Sequence, residues 1–143
     1  MCDASLYRAQ CRTAQPLFFI IMAYTIDINE SLEIVNVVYS GKVSLDMRMQ
    51  AVEQVCSNHG HLKPLKILVD VRGLIMDLSF DEQQAFGKHL ANNPVLTDAR
   101  VAVLHKPDFN PNAIIDDSAF NNGYMLAQFS SQADAELWLL GKI

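Results

Sequence analysis

Residues 65–73 read Leu-Lys-Ile-Leu-Val-Asp-Val-Arg-Gly, and the architecture can be worked out from this stretch. Leu65 to Val71 is rich in leucine, isoleucine and valine, and Pro64 leads into it. A short run of this kind is typical of a central strand of a parallel sheet, which is covered on both faces. The sequence therefore predicts an α/β domain that is built around this strand.

On the N-terminal side, the sequence predicts two strands and a helix. Tyr24 to Asn29 alternates between apolar and polar residues, which is typical of a half-buried strand. Leu32 to Ser40 is rich in β-branched and aromatic residues, so the two segments predict a hairpin that ends at Gly41. Ser44 is expected to cap a helix that ends at Gly60. The apolar stripe of this helix is formed by Leu45, Met49, Val52 and Cys56.

On the C-terminal side, helices and strands alternate. Ser79 to Glu82 matches a capping box, which predicts that a helix begins there and ends just before Pro94. Arg100 to His105 predicts a second buried strand. Ala113 to Asn122 predicts a further helix, and Tyr124 to Phe129 the last strand.

The last predicted element is a helix that begins at Ser130 or Ser131 and buries Ala133, Leu137 and Leu140. The predicted order is therefore β-β-α-β-α-β-α-β-α. Alternating strands and helices imply right-handed crossovers and a sheet with helices on both faces, and the opening hairpin adds an antiparallel strand. We expect a single α/β domain with a mixed, mostly parallel five-stranded sheet and about four helices.

The composition limits the classes of function. The chain has 143 residues, half of them hydrophobic, which fits one domain with one packed core. The net charge is −5 and the lysines and arginines are scattered, so no nucleic acid partner is expected. No apolar run approaches the ~18 residues that a transmembrane helix needs. Three cysteines without metal-ligand spacing, Cys2, Cys11 and Cys56, indicate a reducing, cytoplasmic location, with Cys56 as a small core residue.

Residues 1–21 are expected to be an N-terminal extension of a domain that spans residues 22–143. The clean alternation begins only at Tyr24, so the extension is interpreted as a loosely attached segment or the product of an upstream start codon. The apolar run from Leu17 to Ala23 follows two arginines, and a weak signal peptide or a peripheral anchor are the alternatives.

Four local patterns follow one another along the chain. They are Tyr-Ser-Gly-Lys-Val-Ser at residues 39–44, Leu-Val-Asp-Val-Arg-Gly at 68–73, Arg-Val-Ala-Val at 100–103, and Phe129 followed by a helix that ends Ala-Glu-Leu-Trp-Leu at 135–139. Together they resemble the SpoIIAA-like family of the STAS/SEC14 group over about residues 24–143. The resemblance implies a STAS-like domain. Relatives in that group act as anti-sigma-factor antagonists, as cytoplasmic parts of anion transporters or as carriers of lipophilic molecules.

The resemblance also points to Ser79. Antagonists of the group carry a phosphorylatable serine in an Asp-Ser-Ser/Thr-Gly-Leu motif at the start of the second helix, and residues 76–81 here read Met-Asp-Leu-Ser-Phe-Asp. The Gly-Leu is missing, and the neighbouring Asp81 and Glu82 would repel a phosphate. We expect Ser79 to be a helix cap, with a phosphorylation switch as the alternative.

A ligand site is expected at the carboxyl ends of the strands, as in other open α/β sheets. Candidate residues there are Asp70, Arg72, His105 and Lys106, whose cationic members could donate to a carboxylate or phosphate. The interpretation that we favour for these residues is structural: Arg72 pairs with Asp70 or Asp77, and His105 and Lys106 are solvated loop residues. No metal site or cofactor is expected, and Asp116 and Asp117 are interpreted as a solvated helix face. No phosphate loop, nucleophile elbow or Cys-His pair is present, so an enzyme is not expected.

The segment before the capped helix is unusually apolar. Leu74, Ile75, Met76 and Leu78 are expected to include at least two exposed side chains that contact a second chain. The favoured function is a non-catalytic regulatory or protein-interaction module, with a protein partner or a second copy bound through residues 74–80. The alternative is a carrier or sensor of a small lipophilic or anionic ligand. A closed apolar cavity would favour the carrier.

Overall fold

The computed structural model describes residues 23–143, so the predictions for residues 1–21 lie outside the described residues. The elements of the described part follow the predicted order. They are β1 (Tyr24–Asn29), β2 (Ile34–Lys42), α1 (Leu45–His59), β3 (Lys66–Ile75), α2 (Phe80–Asn92), β4 (Arg100–Leu104), α3 (Ala113–Asn121), β5 (Leu126–Phe129) and α4 (Gln132–Leu139). The predicted fold class is confirmed.

The five strands lie side by side in chain order, from β1 to β5. β1 pairs antiparallel with β2, and all later pairs are parallel. A right-handed crossover between neighbouring parallel strands always places its helix on the same side of the sheet. This explains why α1, α2 and α3 share one face, while α4, which follows the last strand, packs on the other.

Alternate residues of the central strands belong to two separate cores. Val35, Ile67 and Val101 point into the main core beneath α1, α2 and α3. Ile34 and Leu68 point the other way, into a smaller core with α4. Because α4 alone covers that second face, the polar side of the β1 edge strand is exposed there. The second face is therefore less completely covered than the sequence predicted.

Strand β3 is longer than predicted, because it runs to Ile75 instead of ending at Val71. Its last residues continue the parallel pairing with β2, past an irregularity in the register. Alternation along the strand then sends neighbouring side chains to opposite sides. Leu74 is consequently buried, at 6% exposure, whereas Ile75 is 55% exposed.

Helix α1 begins at the predicted cap Ser44, whose hydroxyl accepts the backbone N–H of Met47 at 3.2 Å. Its buried face is Arg48, Ala51 and Val55. The predicted stripe lies beside that face and is half-buried: Leu45, Met49, Val52 and Cys56. The prediction was therefore displaced by part of a turn, because an arginine at the centre of the buried face carries no apolar signal.

The buried face of α4 was predicted wrongly. The helix buries Ala135 and Leu139, while Ala133 and Leu137 are exposed and Leu140 is half-buried. Six of the eight residues at 133–140 are apolar, so the sequence pattern does not single out one face. Docking against the second face of the sheet decides the orientation instead.

Helices α2 and α3 pack closely where Gly87 lies. A Cβ atom at that position would come within 2.6 Å of the carbonyl oxygen of Ile115, so the contact requires glycine. Ser118 also donates a hydrogen bond to the carbonyl of Gln84, at 2.8 Å. The two helices are thereby joined on the face of the sheet that they share with α1.

Candidate functional site

A cavity of about 60 Å³ lies between the sheet and the three helices α1, α2 and α3. Its lining is almost entirely apolar and includes Val37, Val55, Ile67, Phe86 and Leu126. A single water molecule needs about 10–15 Å³ of such volume, so the cavity has room for a small molecule or several waters. Its position inside the main core differs from the predicted position at the strand ends.

The polar group that matters most at this cavity is the guanidinium of Arg48. The residue lines the cavity and is only 1% exposed. Its Nη1 donates to Oδ1 of Asn112 at 3.1 Å, but Nε and Nη2 have no hydrogen-bond partner within residues 23–143. The rings of Tyr39 and Phe86 lie against it, with their centroids 5.2 and 5.7 Å from the guanidinium carbon.

Burial lowers the pKa of Arg48, against the opposing effects of Tyr39 and Asp116. An arginine side chain stays protonated even so. Each unsatisfied buried donor costs about 1–3 kcal/mol, and more when the group is charged. Nε and Nη2 are therefore the groups in this core that would gain most from an acceptor.

Asp116 supplies negative charge near Arg48 without pairing with it directly. Asn112 connects the two residues, since its Nδ2 donates to Oδ1 of Asp116 at 2.8 Å. Asn110 and Gln128 donate to Oδ2 of Asp116, each at 2.9 Å. Burial raises the pKa of Asp116, and these three amide hydrogen bonds oppose the rise. The carboxylate is thus fully engaged by neutral amides.

Two tyrosines complete the polar part of the lining. Tyr39 and Tyr124 are 5% and 6% exposed, and both line the cavity. Burial raises the pKa of Tyr39 to about 12 and raises that of Tyr124 as well. Both hydroxyls stay protonated at neutral pH, so both remain hydrogen-bond donors.

The predicted strand-end residues form a different arrangement. Arg72 donates to Asp70 through Nε, at 3.0 Å, and through Nη2, at 2.7 Å. Burial acts to raise the pKa of Asp70, but the hydrogen bonds and charge of Arg72 outweigh it, so the pKa lies below its usual value. His105 and Lys106 follow β4 nearby, and Nδ1 of His105 lies 2.6 Å from the carbonyl oxygen of Lys106. Arg72 is thus paired with Asp70, as the favoured interpretation expected. Both residues lie within β3, which runs to Ile75, and the prediction that they follow the strand was wrong.

The apolar segment before α2 is mostly buried. Leu74 and Leu78 are 6% and 8% exposed, Met76 is half-buried, and Ile75 alone of the four is exposed. The expectation of two exposed side chains among these four was wrong, because strand alternation and the turn into α2 direct the others inward. Beside the segment, Phe80 at the start of α2 is 56% exposed.

Ser79 is the predicted helix cap. Its hydroxyl accepts the backbone N–H of Glu82 at 3.1 Å, and the Glu82 carboxylate accepts the backbone N–H of Ser79 at 2.9 Å. These reciprocal bonds form the capping box that the sequence indicated. Ser79 is exposed, so a kinase could reach the same hydroxyl that caps the helix.

A wider depression lies on the surface between α2 and α3. Phe80, Lys88 and Asp117 contribute to its mostly polar lining. It is open to solvent, so a small molecule would keep most of its hydration there. Among the described residues, no group of three histidine, cysteine or carboxylate side chains could hold a metal ion.

Cys56 lies at the edge of the main core and is half-buried, less than predicted for a core residue. Its sulfur lies 3.9 Å from Oδ1 of Asn93. Burial raises the pKa of this thiol. A raised pKa disfavours the thiolate, so the structure gives no support to a reactive cysteine here.

Sequence reasoning missed the polar residues of the cavity. Asp116 was assigned to a solvated face together with Asp117, but it is 1% exposed, and only Asp117 faces solvent. Arg48 stands beside the apolar stripe of α1, and this was the one available signal. An arginine next to an apolar stripe is usually exposed, so the signal could be recognised only once the helix was docked.

Comparison with known proteins gives the fold. The chain matches no protein-family model and no curated protein. Among solved structures, it is similar to an uncharacterised protein of the DUF3478 family with a SpoIIAA-like fold from Shewanella loihica PV-4. The TM-score is 0.55 at 17% sequence identity, over 82% of this chain and 92% of that chain. The SpoIIAA-like architecture is therefore confirmed. No described helix has the length and apolar character needed to cross a membrane.

Proposed function

We propose that this domain is a non-catalytic carrier or sensor that holds a small anionic molecule in the cavity beneath α1, α2 and α3. The observation that carries the proposal is the buried Arg48 guanidinium, whose Nε and Nη2 have no partner in the described chain. The sequence analysis gave a carrier or sensor of a small ligand as the alternative function. The site that we now propose for it lies in the interior, and no longer at the ends of the strands.

The energetics favour an anion over a neutral ligand. A buried cation without a directly paired anion is strongly unfavourable, and removing it from water costs several kcal/mol. An anion in the cavity would accept charge-assisted hydrogen bonds from two donors of Arg48, which Asp116 does not contact directly. The surrounding aliphatic side chains would strengthen that attraction by excluding water.

A STAS-like regulatory function through a protein partner is the second candidate. The observation in its favour is that Ile75 and Phe80, on either side of the buried Leu78, are 55% and 56% exposed. They flank Ser79, where phosphorylation would add negative charge. We propose a cytoplasmic location with either function, on the basis of cysteine usage alone.

The test is the thermal stability of the purified protein in buffers that contain single small anions, with native mass spectrometry of the fresh preparation. A ligand at 100 times its dissociation constant stabilises a protein by about 2.7 kcal/mol, which corresponds to several degrees. We expect at least one small anion to raise the melting temperature of the wild type.

Two methionine variants provide the control. The anion-dependent increase should disappear in Arg48→Met and persist in Arg72→Met, because Arg72 already holds a carboxylate. An increase that survives in Arg48→Met would place the anion elsewhere. A wild type that no small anion stabilises would overturn the proposed function.

A further inference from the structure

We infer that the ligand is a short aliphatic monocarboxylate, which binds side-on to Nε and Nη2 of Arg48. This inference rests on the proposed function and names its ligand class. Three properties of the cavity support it: the part of the guanidinium that is free, the charge balance of the core, and the size of the space.

The part of the Arg48 guanidinium that has no hydrogen-bond partner among residues 23–143 is one complete edge of the group. Nη1 of Arg48 is occupied by Asn112, which leaves Nε and Nη2, the two nitrogens of the side-on edge. Two parallel N–H donors at this spacing match the two oxygens of a carboxylate. The same chain contains such a pair, since Nε and Nη2 of Arg72 bind the two oxygens of Asp70.

The charge balance favours a single negative charge. The ionisable groups around the cavity are Arg48, Asp116, Tyr39 and Tyr124. The tyrosines are neutral, and Asp116 already places one negative charge next to Arg48. Because Arg48 and Asp116 already balance each other, a dianion such as hydrogen phosphate would add two uncompensated charges to an apolar core. A monocarboxylate would add only one, and that charge would lie directly against the guanidinium.

The volume limits the apolar part of the ligand. An apolar cavity that binds benzene measures about 150 Å³, so a space of about 60 Å³ fits an apolar group of roughly half the size of benzene. The apolar part of the ligand is therefore limited to roughly two or three carbons beyond the carboxylate, against six in benzene. Val37, Ile67 and Val103 would contact these carbons.

The test is isothermal titration of the wild type with butanoate and with three comparison probes: butanamide, octanoate and inorganic phosphate. Butanoate should bind most tightly, because only it combines one charge, two oxygens and a short chain. Arg48→Lys keeps the positive charge but lacks the side-on edge, and the loss of one charge-assisted hydrogen bond should weaken butanoate binding by roughly ten- to a hundredfold. The matched control Arg72→Lys should stay within about twofold.

Each result of the panel has a definite meaning. Tighter binding of phosphate would overturn the monocarboxylate while preserving an anion-binding function. Tighter binding of octanoate would overturn the short chain, and equal binding of butanamide would overturn the role of charge. If none of the probes binds, the monocarboxylate is refuted, and failure of every other small anion to stabilise the protein would then refute the proposed function too. The wild-type panel alone can refute the inference if Arg48→Lys does not fold.

Discussion

Arg48 and Arg72 present the same edge of a guanidinium in two opposite environments. In the second half of β3, where Arg72 is exposed, its Nε and Nη2 bind Asp70, which lies two residues away in the chain. In the interior beneath α1, the same two nitrogens of Arg48 have no partner in the part of the chain that is described. An exposed pair contributes only about 0–1 kcal/mol, whereas an unpaired buried charge is costly. The unsatisfied interior edge is therefore the stronger indication of a binding site.

The largest effect is expected where the interior charge balance is broken. Asp116→Ala would remove the nearby negative charge and leave three amide groups, of which that of Asn112 is buried, without their acceptor. We expect the free energy of unfolding to fall by about 3–5 kcal/mol. Urea denaturation measures it, with the exposed neighbour as control: Asp117→Ala should change it by less than about 0.5 kcal/mol. Equal effects of the two substitutions would show that Asp116 does not support this core.

The apolar segment at the end of β3 allows a second comparison, between a buried and an exposed side chain. Leu78→Ser should lower the free energy of unfolding by about 2–5 kcal/mol, because the side chain is buried between α2 and its neighbours. Ile75→Ser should leave stability within about 0.5 kcal/mol, because that side chain faces solvent. Light scattering of the Ile75→Ser protein also tests the second candidate function. A smaller mass than that of the wild type would support association through this segment.

The cap of α2 is expected to have an intermediate effect. Ser79→Ala should cost about 0.5–2 kcal/mol, because the N–H of Glu82 loses its acceptor. Ser79→Asp should be nearly neutral, because aspartate also caps. If urea denaturation finds Ser79→Ala as stable as the wild type, the capping box does not contribute. A partner that binds the wild type but not Ser79→Asp would instead support the phosphorylation switch.

The smallest effect concerns the exposed pair and its pH dependence. The folded pKa of Asp70 lies below its usual value, so the pair stabilises the fold above the unfolded pKa near 3.8 and loses that contribution as the pH falls through the lower folded value. Arg72→Met removes the contribution. We expect its urea midpoint to fall less steeply than that of the wild type between pH 5 and 3. Parallel pH profiles would contradict the pairing in solution.

The sequence predicted the features that depend on neighbouring residues, but not the interior site, which depends on contacts between distant residues. The hairpin and the capping box at Ser79 depend on residues close together in the chain, and both were predicted. The Arg48–Asn112 contact joins residues 64 positions apart, and Gln128 on strand β5 donates to Asp116 on helix α3. Polar residues on amphipathic helices are normally exposed. Only the docked helices reveal that these particular ones are buried, so the interior site could not be predicted from local patterns.

The most direct test of the account is the arginine side-chain ¹H–¹⁵N spectrum of the wild type, recorded while butanoate is added. The resonances of Arg48 and Arg72 are observed in one sample, so Arg72 serves as an internal control. We expect the Nε–H resonance of Arg48 to shift in a saturable manner as the interior edge accepts the carboxylate, while that of Arg72 stays in place. A spectrum in which Arg48 does not respond, or in which both arginines shift weakly and without saturation, would contradict it.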